Sequence, residues 1–73
     1  MEEIQKKLNN LGFKPIDYKT FKRGNEILII CWPCCFIKYK KELGGTSNMV
    51  RLSRGGMTRK IEEVNNFINQ KLT

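Results

Sequence analysis

The chain has 73 residues, with 14 Lys+Arg against 7 Asp+Glu, a formal net charge of +7 and no histidine. A chain this short buries only about 60% of its unfolded surface, so it has room for one small core and excludes a deep cleft beside a separate cofactor site. The charge excess favours a polyanionic partner: nucleic acid, an anionic membrane surface or an acidic protein face.

Residues 2 to 11 are predicted to form a helix, with Ile4, Leu8 and Leu11 on one stripe. Glu2 and Glu3 suit the positive end of its dipole. Gly12 supplies a left-handed stop, and Pro15 forbids continuation. Residues 16 to 22 alternate as a strand, with Ile16, Tyr18 and Thr20 on one side and Asp17, Lys19 and Phe21 on the other. Arg23-Gly24-Asn25 reads as a hairpin turn. As a three-residue loop it sets Lys22 against Glu26 and Tyr18 against Ile30. Ile16 and Tyr18 then share a face with Leu28, Ile30 and Trp32.

Glu26 to Lys41 is the stretch richest in Ile, Cys, Phe, Trp and Tyr, and it marks the centre of a sheet. Its apolar run, Ile27 to Ile37, is too short to cross a membrane. Pro33 has no N–H for a central ladder; against the alternatives of a turn shifted by one residue, Cys31 to Cys34, which keeps the same faces, and a single bent strand, a turn at Trp32-Pro33-Cys34-Cys35 is expected. That turn pairs Ile30 with Ile37 and Leu28 with Tyr39. Leu28, Ile30, Trp32, Cys35, Ile37 and Tyr39 then line a wholly apolar core face. The opposite side carries Ile27, Ile29, Cys31 and Phe36 beside Lys38 and Lys40, a mixed surface suited to a partner.

A loop over residues 40 to 47 leads to a short strand, Asn48 to Arg54, with Val50 and Leu52 inward and Arg51 and Ser53 outward. The closing helix is expected over residues 58 to 71, with Thr58 as N-cap. Its stripe is Met57, Ile61, Val64, Ile68 and Leu72, widened by Phe67. The expected fold is therefore α+β: an antiparallel sheet of three or four strands with both terminal helices on one face, in the order α-β-β-β-(β)-α, as one domain over residues 1–73.

Arg59 and Lys60 stand in the first turn of the closing helix, where the dipole disfavours cations. With Arg51, Arg54, Thr58 and Gly55-Gly56 around them, they make a candidate phosphate site. Lys38, Lys40 and Lys41 extend the patch if the strand order allows, and Lys19, Lys22 and Arg23 at the hairpin tip are a second candidate contact. Ile27, Ile29 and Phe36 are the candidate partner face. Three cysteines, an odd count without a histidine, are expected to be free thiols packed as small apolar groups, with no metal and no cofactor. The N-terminus has no apolar segment of the secretory kind, so a reducing cytoplasm is expected. Without a histidine to act as base, and with one aspartate, no catalytic set is expected.

An opening helix, an antiparallel sheet and a closing helix that begins with Thr58, Arg59 and Lys60 resemble the double-stranded-RNA-binding domain. The resemblance implies phosphate contacts from the basic helix start, with Arg23-Gly24-Asn25 as the groove-contacting loop. The hairpin loop lacks that family's Pro and His, and the closing helix lacks its alanines. The layout also resembles HicA-type toxins, which are small RNases; their catalytic His has no counterpart here, so their activity is not carried over. The expected function is a non-enzymatic nucleic-acid-binding module, RNA favoured over DNA. The alternative is a small inhibitor or regulator of the phage or mobile-element kind. It would dock on a larger protein or nucleoprotein through its sheet face or edge strand, or pair as a homodimer.

Overall fold

A computed structural model describes residues 2–42 and 44–73; Leu43, in the loop expected over residues 40 to 47, lies outside the described residues. The element order is α1 (Glu2–Asn10), β1 (Lys14–Pro15), β2 (Thr20–Arg23), β3 (Glu26–Cys31), β4 (Phe36–Lys40), β5 (Ser47–Arg51) and α2 (Met57–Phe67), which runs on into a π-helical turn, Ile68–Leu72. The strands form one antiparallel meander in the order β1-β2-β3-β4-β5. The fold is α+β, as expected, with one more strand than the pattern suggested. Lys14-Pro15 is too short to show a period, and it is a strand only because it pairs with Phe21 and Lys22.

Helix α1 ends as its sequence requires. Gly12 takes φ +94° and donates to the Asn9 carbonyl, while the Phe13 N–H reaches back to Leu8. This double closure satisfies two orphan carbonyls and brings Phe13 onto Leu8, both fully buried.

The β2–β3 hairpin corrects the expected register. Arg23 pairs with Glu26 and Phe21 with Leu28, across a two-residue turn with Gly24 at φ +59°. Glycine with positive φ at the first of two central positions closes a tight hairpin whose twist matches its strands. One loop residue fewer flips every side chain of β2. Phe21 therefore enters the core, while Ile16 and Tyr18, expected inside, are 60% and 84% exposed. They lie in the β1–β2 connection, where Asp17 accepts from the Lys19 and Thr20 N–H groups (3.0 and 2.9 Å). Those bonds, the Lys19 N–H first, hold its carboxyl below the usual range.

The β3–β4 hairpin follows the expectation. Ile30 pairs with Ile37 and Leu28 with Tyr39 across a turn at Trp32 to Cys35, closed by the Cys35 N–H on the Trp32 carbonyl. The turn folds Cys34 back onto Cys31, and the two are joined as a disulfide with Cα atoms 5.2 Å apart. This departs from the expectation of three free thiols; the turn expected at Trp32 to Cys35 is itself what brings the two residues together. Cys35 is free.

Leu28, Ile30, Ile37 and Tyr39 of the sheet pack with Ile4 and Leu8 of α1 and with Val64, Phe67, Ile68 and Leu72. In an α-helix, positions four apart drift by about 40° per step. The wider π-turn winds the chain back and keeps Leu72 inward beside Ile68. Leu52 is buried, but Val50 is 40% exposed because β5 is the sheet edge, beyond the reach of the helices. Helix α2 starts one residue earlier than expected, with Gly56 and not Thr58 as N-cap; Met57 leaves the stripe and is 39% exposed.

At the other end of the core, Arg23 ties the elements together. It makes two bonds to Glu26 (2.5 and 3.0 Å) and donates to the terminal carbonyls of Leu11 (2.9 Å) and Leu72 (3.4 Å). Its guanidinium stands 4.3 Å from the Phe13 ring centroid. Tyr39 donates to the same Glu26 carboxylate (2.5 Å). The Arg23 bond holds Glu26 below its ordinary value, whereas burial first, and then the bond to Glu26, push Tyr39 up to about 12. The contribution of Tyr39 is therefore complete below pH 10 and is lost as pH rises through about 12. That of Glu26 is present above its unfolded value of 4.5 and is lost as pH falls through its lowered folded value. Urea unfolding of wild type is expected to weaken by on the order of 1–2 kcal/mol more than that of Tyr39→Phe between pH 10 and 12. Equal losses in the two proteins would show that Tyr39 carries no alkaline linkage.

Candidate nucleic-acid interface

The helices cover one face of the sheet. On the other, the register sets three rows of side chains. Lys14, Lys22, Ile27, Lys40 and Ser47 stand in the first row. Thr20, Ile29, Lys38 and Met49 stand in the second, and Cys31, Phe36 and Arg51 in the third. Ile27, Ile29 and Phe36 are half-buried, and Met49 is 59% exposed. The face thus presents a stripe of apolar groups flanked by Lys14, Lys22, Lys38, Lys40 and Arg51. A shallow groove of about 210 Å³ runs among Ile27, Ile29, Lys38, Lys40 and Ser47.

The acidic residues lie elsewhere. Glu2, Glu3, Glu62 and Glu63 are on the helices, and Asp17 and Glu42 are in connections. Glu26, the one carboxylate on a strand, turns to the core side to meet Arg23. Among the described residues no carboxylate belongs to the three rows. Five unneutralised cations on one surface create a local positive potential that a net charge of +7 alone does not specify.

The second basic group is the start of α2. Gly56 caps the helix without a side-chain bond, and Thr58, Arg59 and Lys60 follow in the first turn. Lys60 Nζ donates to the Trp32 carbonyl (3.3 Å), which fixes this helix start beside the β3–β4 turn. Ser53 donates to Glu63 through its N–H (2.8 Å) and hydroxyl (2.9 Å), and these bonds keep the Glu63 carboxyl below its usual range. Arg59 has that carboxylate as an electrostatic neighbour, so the helix start is less purely cationic than the sheet face.

Of the expected contacts, Arg51, Arg54, Thr58, Arg59 and Lys60 gather at one end of the sheet, with Arg51 facing outward. Lys38 lies in the middle of the open face. Lys40 and Lys41 lie toward the far end, where Lys41 is close enough to Glu26 to help lower its pKa. Arg23 is not an exposed hairpin cation: its donors are taken by Glu26, Leu11 and Leu72. Ile27, Ile29 and Phe36 do share one open face. Lys22, expected as a contact at the hairpin tip, belongs with them, as do Lys14 and Met49, which the sequence pattern does not single out. A two-residue reading of the Gly24-Asn25 turn brings Lys22 to this face.

Among the described residues no cluster of three His, Cys, Asp or Glu side chains is placed to hold a metal ion, and no helix is long and apolar enough to cross a membrane. No protein-family model matches the chain, and no curated protein and no solved structure is similar to it at a significant level.

Proposed function

We propose that this chain is a non-enzymatic nucleic-acid-binding module, RNA favoured over DNA, that engages its ligand with the open face of its sheet. The observation that carries the reading is the sorting of charge. Five cations flank the stripe Ile27, Ile29, Phe36 and Met49, while the 7 acidic residues are kept to the helices, the connections and the Arg23 pair. Lysines along such a face match phosphates, and apolar side chains between them match bases. Accessible bases are commoner in RNA loops and single strands than in duplex DNA, which favours RNA. Arg51 joins this face to Arg54, Arg59 and Lys60, so the helix start contributes further phosphate contacts at one end.

The direct test is binding of the purified chain to labelled single-stranded RNA, duplex RNA and duplex DNA, each at 50 and 200 mM salt, the range over which phosphate contacts show themselves. Binding is expected to weaken by about 10³-fold or more across that range for a ligand touching roughly six cations. Absence of binding at both salts overturns the reading. A second reading is favoured by the edge strand β5, where Met49 and Val50 are 59% and 40% exposed. An inhibitor or regulator that adds this edge to the sheet of a protein partner, or to a second copy of itself, has a ready surface there. Sedimentation at micromolar concentration separates the self-pairing case, which gives a dimer, from the others, which give a monomer.

A further inference from the structure

At the Arg51 end of the molecule the core opens into a cleft of about 600 Å³. Ile4 and Ile30 form its floor, Tyr18, Trp32 and Met57 its walls, and Lys19 part of its rim. Tyr18 is 84% exposed, so an aromatic ring stands against the opening with little burial to stabilise it there. Lys19 Nζ lies 5.8 Å from the Tyr18 ring centroid, and Lys60 Nζ reaches the carbonyl of Trp32. Among the described residues no acidic side chain lines the cleft. Aromatic walls with a cationic, carboxylate-free rim are complementary to a flat ring carried on a negatively charged backbone.

We infer that this cleft takes an unpaired nucleobase from a single-stranded RNA segment, with the neighbouring phosphates held by Lys19 and Lys60. The inference rests on the nucleic-acid reading above and adds the strand state of the ligand. Bases inside a duplex stay stacked, so only a single strand or a looped-out nucleotide presents a free ring. Met57 is the first residue of α2, so a base seated against it brings its phosphates beside Thr58, Arg59 and Lys60. The basic helix start then has a ligand-positioning purpose that offsets its unfavourable placement at the dipole.

Trp32 is the only tryptophan of the chain, and its emission reports on the cleft wall directly. A single-stranded oligoribonucleotide is expected to quench it, and duplex RNA of equal length is not. Tyr18→Ala removes an exposed ring and is expected to lower single-strand affinity by about tenfold, with duplex affinity unchanged; Tyr18→Phe keeps the ring and retains the affinity. Circular dichroism of both variants checks the fold. Single-strand binding with unchanged Trp32 emission and full affinity in Tyr18→Ala overturns the base cleft and leaves the nucleic-acid reading standing. No binding of either RNA removes both. A Trp32 response to an apolar dye but to no oligonucleotide assigns the cleft to another occupant and likewise overturns it.

Discussion

Replacing Lys22 and Lys38 together by Glu is expected to lower RNA affinity by about 100-fold at physiological salt, roughly a tenfold loss for each reversed charge. Both side chains are exposed on the open sheet face, so the fold is expected to survive. The salt dependence should flatten as well, by about one unit of slope for each phosphate that is no longer neutralised. The matched control is Lys6→Glu with Lys71→Glu. These exposed cations lie on α1 and the π-turn, and their reversal changes net charge by the same amount. If the face matters, the control loses no more than about fivefold, the residue of long-range attraction. Equal losses in the two pairs would mean that only overall charge attracts the ligand. Fluorescence anisotropy at two salt concentrations separates these outcomes.

Arg23→Ala is expected to destabilise the fold by about 2–3 kcal/mol without changing the affinity of the folded fraction for RNA. The loss follows from what the guanidinium holds. Its removal leaves Glu26 with only Tyr39, frees the terminal carbonyls of Leu11 and Leu72, and strips the cation from the Phe13 ring. The ion pair alone is worth less, because its side chains are 30% and 19% exposed. A chain of this size has total stability of about 4–11 kcal/mol, so the melting temperature should fall by more than about 10 °C. Arg23→Lys is expected to recover less than half, since an ammonium lacks the planar fork that reaches a carboxylate and two carbonyls together. Unchanged melting with weakened RNA binding would return Arg23 to the role its hairpin position first suggests.

The pairing at the centre of the sheet is legible in the sequence because one residue specifies it. Pro33 has no N–H for the ladder, and its fixed φ suits the second position of a turn, which favours the Leu28–Tyr39 register observed over a turn shifted by one residue that keeps the same faces. The β2 register is not legible in the same way. Arg23-Gly24-Asn25 is compatible with loops of two or three residues, and the amphipathic alternatives, Ile16 and Tyr18 against Phe21, differ little in apolar content. What decides is tertiary: Phe21 meets the core, and Arg23 meets two helix ends that no local pattern reveals. The same distance in sequence hides the open-face cation set. Lys38, Lys40 and Arg51 stand out as one candidate patch and Lys22 as part of another, while Lys14 does not stand out at all; only the four strand registers align the five on one face. The cluster at the start of α2 is visible sooner because its members are neighbours in the chain. Its partial neutralisation by Glu63 depends on a helical turn and on the Ser53 contacts.

The proposal stands or falls on whether the uncovered face of the sheet meets nucleic acid. Amide chemical-shift mapping during titration with a single-stranded oligoribonucleotide tests it most directly. The largest shifts are expected along β3, β4 and β5, centred on Ile29, Phe36, Lys38, Met49 and Arg51, and continuing into the first turn of α2. Shifts confined to the exposed helix surfaces around Lys6 and Lys71, with the three strands silent, would contradict it.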